Sequence, residues 1–139
     1  ALRRFSVLSS VLLLLPGLLG ILRQHPYEYT SYNLLAGNVY RVYETDYWLT
    51  CYKEAVEWTR ANAPQKTLHI QREYPIAAYY GQGLALKNLG AENESDLQPG
   101  DWLLFSTRAN LDIKSAYRKL PVVKAFGRDG AEFCLIKEK

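Results

Sequence analysis

The sequence contains no methionine and only two cysteines among its 139 residues. Cys51 and Cys134 are too few and too far apart in sequence to indicate a metal site or a disulfide scaffold. Two buried or free thiols are the main interpretation, and one long-range disulfide is the alternative if the domain lies outside the cytoplasm. Because the chain opens at Ala1, just before a basic pair, we expect it to start inside a longer protein rather than at a trimmed initiator methionine.

Acidic residues are absent from the first 24 positions, whereas Arg3, Arg4 and Arg23 lie there. The remaining basic residues balance the acidic residues in number, so the rest of the chain is close to neutral. A nucleic-acid-binding domain would carry a basic face on its folded part. The distribution therefore argues against nucleic acid as a partner and suits an anchor whose ends lie among lipid head groups.

One apolar segment, residues 5–22, carries no charge. As a helix it would be about 27 Å long, close to the thickness of the bilayer hydrocarbon. Pro16-Gly17 would break an exposed helix but is tolerated in a bilayer. A signal peptide is the alternative, but the residues up to Gln24 offer no small-x-small cleavage site. We therefore predict a transmembrane helix with basic flanks over residues 1–24, with the lipid bilayer as its partner. Basic residues on both sides leave its orientation undetermined.

A tyrosine-rich connector, residues 25–47, follows the apolar segment, and the aromatic residues continue to Trp58. Tyrosine and tryptophan favour the head-group layer of a membrane, and exposed rings can also stack on sugars. Membrane-interface or core packing is the main interpretation, and sugar contact is the alternative.

Residues 48–139 are predicted to form a small α/β domain, a mixed β-sheet flanked by helices and ending in a β-hairpin. Apolar positions at helical spacing begin at Trp48 and predict a first helix that ends near residue 62. The other predicted helices are 76–80 and 112–120, and the predicted strands are 67–71, 84–88, 102–106, 122–126 and 132–137.

The sequence predicts no catalytic residue, metal site or cofactor in this chain. Gly81-Gln82-Gly83 lacks the third glycine of a dinucleotide-binding motif. His25 and His69 have no companion metal ligands nearby in sequence. Glu44 and Asp46 precede a helix, and we expect them to cap it rather than to act as an acid–base pair.

A more specific pattern follows the apolar segment. It consists of His25-Pro26-Tyr27-Glu28-Tyr29, Tyr32-Asn33, Tyr43-Glu44-Thr45-Asp46-Tyr47-Trp48, Tyr52-Lys53-Glu54-Ala55 and Glu57-Trp58. The pattern resembles the C-terminal end of bacterial polytopic membrane glycosyltransferases of the protein O-mannosyltransferase-like group, in the GT-C fold class. Pro99-Gly100-Asp101-Trp102 is similar to a later motif of the same domain. The chain departs from the family pattern where Leu49 follows Trp48, since the family usually has glycine there, and it has fewer glycines before Tyr43.

The resemblance implies an integral protein of the bacterial cell membrane that moves sugar from a polyprenyl-phosphate donor to a glycan or protein acceptor. In that family the catalytic carboxylate lies in an early extracytoplasmic loop, and no residue here matches that loop. This chain would be the last membrane helix and the C-terminal extracytoplasmic domain, structural or acceptor-facing rather than catalytic, with the remaining transmembrane helices as partners. The candidate motif or interface residues are His25, Pro26, Tyr29, Tyr32, Asn33, Asp46, Tyr47, Trp48 and Tyr52.

We expect His25, Tyr29, Tyr32 and Asn33 to dock the domain on the membrane face. We expect Asp46, Tyr47 and Trp48 to start its first helix. Acceptor contact through Trp48 and Tyr52 is a hypothesis. The alternative function is a single-pass, membrane-anchored module that binds a carbohydrate or a protein, and a structural subunit of a membrane complex is a third possibility.

Overall fold

The structure is a computed structural model that describes residues 2–30, 43–90 and 97–139. The chain divides into two compact units, Ala1–Gly37 and Asn38–Lys139. Tyr32 and Asn33 lie outside the described residues, so the roles predicted for them stay predictions.

Helix α1, Leu2–Gln24, makes up most of the first unit and contains Pro16. Leu13 and Leu14 are 81% and 72% exposed. After the helix, the His25–Pro26 peptide bond is cis, and a short 3-10 turn follows at Glu28–Thr30. No helix among the described residues combines the length and the apolar character that a membrane crossing requires.

The second unit is built on a five-stranded mixed sheet with the order β2-β1-β3-β5-β4. The first three strands are parallel, while β5 pairs antiparallel with both β3 and β4. Their bounds are β1 Leu68–Ile70, β2 Leu86–Asn88, β3 Trp102–Ser106, β4 Val122–Arg128 and β5 Ala131–Glu138. All five residues of β3 are buried, which confirms the prediction of a central strand that is apolar on both faces.

Helix α2, Cys51–Asn62, packs against β5, β4 and helix α3, Tyr74–Tyr80. Lys53 and Glu57 pair on its outer face with Nζ and Oε1 4.0 Å apart, as their i,i+4 spacing predicts. Its buried face consists of Cys51, Tyr52, Ala55, Val56 and Thr59. The predictions that Asp46, Tyr47 and Trp48 start this helix and that Trp48 lies on its buried face were wrong. The helix begins at Cys51, and Trp48 is 70% exposed.

A second apolar cluster centres on Leu103 and Phe105, which alternate along β3 and share one face of the sheet. Leu89 and Leu97 complete its buried part, and Tyr117 packs against it. The sheet is therefore covered by apolar side chains on both faces, as expected of a parallel sheet.

The predicted helix 112–120 is not continuous. It is split into helix α4, Leu111–Lys114, and a 3-10 turn, Ala116–Lys119, by the extended backbone of Ser115. The buried ammonium of Lys137 donates to the carbonyl oxygens of residues 112, 117 and 118, at 2.8, 3.5 and 3.3 Å. A cation from β5 thus satisfies carbonyl groups on both sides of the break, which local sequence patterns do not reveal.

The terminal hairpin is confirmed, with longer strands and a tighter turn than predicted. Asp129 and Gly130 form its two-residue turn, and both have positive φ, 49° and 82°. Such turns match the right-handed twist of the flanking strands, which explains the Asp-Gly pair at this point.

Candidate functional site

The candidate site lies at the edge of the sheet where the parallel strands β1 and β3 end. In open α/β sheets, ligands bind beyond the carboxyl ends of the parallel strands. The chain leaves β1 through Arg72 and Glu73 and leaves β3 through Thr107 and Arg108. We call the surface formed by Tyr47, Trp48, Arg72, Glu73 and Arg108 the carboxyl-edge surface.

Two exposed aromatic side chains form one part of the carboxyl-edge surface. Trp48 is 70% exposed and Tyr47 47% exposed. Their rings meet edge to face, with centroids 5.1 Å apart and planes at 83°. The guanidinium carbon of Arg108 lies 4.3 Å from the centre of the Tyr47 ring. This cation–π contact fixes the tyrosine, and the indole beside it remains open to a ligand.

A carboxylate between two guanidinium groups forms the other part. Oε1 of Glu73 lies 3.6 Å from Nε of Arg72 and 3.7 Å from Nη1 of Arg108. Ion pairs this exposed contribute little to stability. Their value is chemical, because they place fixed hydrogen-bond donors and an acceptor beside an apolar ring. That combination suits a hydroxyl-rich ligand with an apolar face.

Unusual backbone conformations concentrate at this edge. Five non-glycine residues have positive φ within the described part of the chain, and four of them flank the carboxyl-edge surface. They are Leu49 at 59°, Glu73 at 51°, and Ala109 and Asn110 at 55° each. Conformations of this kind are costly for residues with a side chain, and they concentrate at ligand sites.

The segment that carries the aromatic pair is held firmly to the sheet. Thr45 Oγ1 donates to the carbonyl oxygen of Glu132 at 2.6 Å and lies 2.8 Å from the hydroxyl oxygen of Thr107. Glu44 Oε1 accepts a hydrogen bond from the backbone N–H of Ala109 at 2.9 Å. The aromatic pair is therefore fixed before any ligand arrives, which lowers the entropic cost of binding.

Asp46 anchors the same segment to helix α2. Its Oδ1 accepts from the N–H of Thr50 at 3.1 Å, and its Oδ2 accepts from the N–H of Cys51 at 2.9 Å. A carboxylate at this end of a helix satisfies otherwise unpaired N–H groups and favours the helix dipole. The prediction of a capping role is confirmed for Asp46, whereas Glu44 bonds to the segment after β3 instead.

Tyr52 lies behind the carboxyl-edge surface, not on it. Its ring is fully buried, and its hydroxyl donates to the carbonyl oxygen of Arg72 at 2.9 Å. Burial raises the pKa of Tyr52 well above its ordinary value, so the hydroxyl stays protonated. Because its ring is buried, the hypothesis that Tyr52 contacts an acceptor is wrong. The residue instead supports the backbone that positions Arg72.

At the opposite edge of the sheet, the buried imidazole of His69 pairs with the partly exposed carboxylate of Asp101. His69 Nε2–H donates to Asp101 Oδ2 at 2.9 Å, and the N–H of Gln98 donates to the same oxygen at 3.0 Å. Burial acts to raise the pKa of Asp101, but these two hydrogen bonds outweigh it and lower that pKa. Sequence reasoning missed this pair, although Asp101 belongs to the Pro-Gly-Asp-Trp motif that carried part of the resemblance.

The remaining candidate residues belong to the first unit. His25 Nδ1–H donates to Glu28 Oε1 at 2.7 Å, and Tyr29 is 46% exposed. A hydrogen bond from its own backbone, followed by that from His25, lowers the pKa of Glu28. Their predicted role in docking the domain to a membrane stays a prediction.

Comparisons with protein-family models, with curated proteins and with solved structures each find no match.

Proposed function

We propose that residues 43–139 form a non-catalytic glycan-binding domain of a membrane glycosyltransferase, and that its carboxyl-edge surface faces the acceptor. The enzyme would use a polyprenyl-phosphate sugar as donor, and its catalytic carboxylate would lie outside this chain. The observation that carries the proposal is the exposed Trp48 ring at the carboxyl edge of the parallel strands. It packs edge to face on Tyr47, whose ring is covered by Arg108, and Arg108 in turn pairs with Glu73.

The chemistry of that surface suits a sugar better than a peptide or a nucleic acid. A pyranose ring has an apolar face that can lie on an indole, while its hydroxyl groups need both donors and acceptors at the rim. Trp48 supplies the apolar ring. Arg72 and Glu73 supply donors and an acceptor within 3.6 Å of each other. The local charge is mixed rather than strongly basic, unlike a surface for a polyanion.

Leu49 adds support from the backbone. The resembled family usually has glycine at the position after the tryptophan, and Leu49 has a φ of 59°, in the region that glycine adopts most easily. The leucine side chain is 1% exposed, so its burial offsets the backbone cost. A glycine at this position in relatives would have a physical reason, since the turn between Trp48 and α2 requires positive φ.

The proposal keeps the membrane attachment predicted from the sequence, although α1 does not combine the length and apolar character that a membrane crossing requires. The uncharged segment 5–22 has the length of the bilayer core, and leucines such as Leu13 are exposed within the first unit. Alkaline carbonate extraction of membranes that contain the native protein tests this part. Retention of the chain in the pellet is expected, and quantitative release into the supernatant would contradict membrane insertion.

The binding part is tested with the full chain in detergent micelles. The experiment titrates soluble oligosaccharides of mannose, glucose and galactose by isothermal calorimetry. Replacing Trp48 by alanine should lower the affinity for the best ligand about tenfold, because the stacked ring contributes on the order of 1.4 kcal/mol to the binding free energy. Tyr79, 73% exposed on α3, provides the matched control, and Tyr79→Ala should leave the affinity unchanged. Equal affinities in both variants would refute the site.

The alternative is a single-pass anchored module that uses the same surface for a carbohydrate or a protein. The native coding region upstream of residue 1 separates the two proposals. A reading frame that continues through several hydrophobic spans, with an acidic residue in the first outer loop, is expected for the enzyme. A start codon directly before Ala1 would favour the anchored module.

A further inference from the structure

The two cysteines of the chain both lie in the core of the second unit. Cys51 is the first residue of α2, and Cys134 lies within β5, opposite Ser106 on one side and Phe126 on the other. Helix α2 packs on β5, and both cysteines are fully buried free thiols. Thr45 Oγ1 donates to the carbonyl oxygen of Glu132, two residues before Cys134, and Asp46 Oδ2 accepts from the N–H of Cys51, so the start of α2 lies against this part of β5.

This arrangement brings together two residues that are far apart in the sequence. A disulfide requires that two cysteine side chains approach from elements whose backbones are already close. Packing of the α2 N-terminus on β5 supplies that closeness. A buried cysteine packs as a small apolar residue, so packing alone does not require a thiol at either position. The closeness of the two cysteines in the fold is therefore an observation separate from their burial.

We propose that Cys51 and Cys134 form an intramolecular disulfide while the domain folds in an oxidising compartment. The co-reactant is a small-molecule or protein disulfide, R–S–S–R. One cysteine thiolate attacks a sulfur of the co-reactant, breaks its S–S bond and releases one RS⁻. The second cysteine thiolate then attacks the mixed disulfide and releases the second RS⁻, and each RS⁻ takes up one thiol proton. The cysteine pair loses two electrons, and the co-reactant gains them.

The folded state protects the product as well as the reduced pair. Burial raises the pKa of Cys51 and of Cys134, so little thiolate is present once the domain has folded. Exchange therefore belongs to the folding stage, when both thiols are accessible. After folding, neither a reductant nor an oxidant reaches the sulfurs without an opening of the core.

The disulfide would also fix the carboxyl-edge surface. It joins the start of α2, directly after the segment that carries Trp48, to the centre of the sheet. It closes a loop of roughly 80 residues, and a loop of this size predicts a rise of the thermal midpoint on the order of 10 °C or more. The pairing itself does not depend on the proposed glycan binding, so each can fail without the other.

The test refolds the full chain from reduced, denatured protein in a buffer of oxidised and reduced glutathione. After refolding, the thiols are counted with Ellman's reagent in guanidinium chloride, and tryptic peptides are identified by mass spectrometry. We expect no free thiol, a mass about 2 Da below that of the reduced chain, and one peptide pair linked through Cys51 and Cys134. Two free thiols, glutathione adducts or chains linked to one another as the main product would overturn the proposal.

Two further measurements complete the test. The oxidised chain should melt on the order of 10 °C above the chain kept in dithiothreitol, and equal midpoints would contradict the stabilising role. Cys134→Ala, which removes one partner, should show no such difference between the two buffers. The count on the wild-type chain decides the pairing even where this buried variant folds poorly.

Discussion

Replacement of Asp46 should destabilise the domain strongly, although the residue is not part of the proposed binding surface. Its carboxylate is fully buried and accepts hydrogen bonds from the N–H groups of Thr50 and Cys51. Asp46→Ala leaves the N–H of Cys51 buried and unpaired, a cost of about 1–3 kcal/mol. The half-buried N–H of Thr50 and the lost helix cap add about 1 kcal/mol. We therefore expect a loss of about 2–4 kcal/mol in the free energy of unfolding.

The measurement is a urea titration of the full chain in detergent, followed by tryptophan fluorescence. Asp46→Asn keeps one acceptor oxygen and should lose about half as much stability as Asp46→Ala. Glu57→Gln is the control, since its exposed ion pair contributes less than about 0.5 kcal/mol. If Asp46→Ala lost no more than the Glu57 variant at an unchanged m-value, the capping argument would be refuted.

Three other substitutions test separate parts of the fold. Wild-type stability should fall as the pH drops below about 4, because the pKa of Asp101 is lowered in the folded state and its contribution is present only above that range. The Asp101→Asn variant should be less stable than the wild type at neutral pH, and its stability should change less as the pH falls. Identical stability profiles against pH in the variant and the wild type would contradict this linkage. Lys137→Met removes the ammonium that binds three carbonyl oxygens. It should therefore lower the free energy of unfolding by about 2–4 kcal/mol and speed amide hydrogen exchange in residues 111–119. Gly127→Ala would place a Cβ atom 1.9 Å from the carbonyl oxygen of Ala131, and we expect a loss of about 3 kcal/mol or more in a thermal melt. Gly90→Ala, with open space around it, should change the midpoint little.

The fold was largely predictable where short-range pattern and burial agree. The alternation of residues 67–71 and the apolar run 102–106 predicted β1 and β3, and the Asp129-Gly130 pair explains the hairpin turn. The buried face of α2 follows from its helical spacing, except at Trp48. There the turn before the helix requires a positive φ at Leu49, and helical periodicity carries no information about that conformation.

The errors and omissions come from contacts between distant parts of the chain. Residues 112–120 look helical in sequence, but Lys137 from β5 binds the carbonyl groups on both sides of the break. The His69–Asp101 pair and the neighbouring thiols likewise arise from strand order and helix packing. Of the carboxyl-edge surface, sequence reasoning named Tyr47 and Trp48 but not its arginines and glutamate, because only the parallel pairing of β1 and β3 brings them together.

The central claim, that the carboxyl-edge surface binds sugar through Trp48, is tested most directly by the indole N–H signals of the three tryptophans. Trp48 is exposed, whereas Trp58 and Trp102 stack on each other with ring centroids 5.7 Å apart. The full chain, labelled with ¹⁵N-tryptophan, is titrated in detergent with the best-binding oligosaccharide, and Trp48→Phe assigns the signal. The account predicts that the Trp48 signal moves in proportion to saturation while the other two stay in place. Saturation without movement of the Trp48 signal, or movement confined to Trp58 and Trp102, would contradict it.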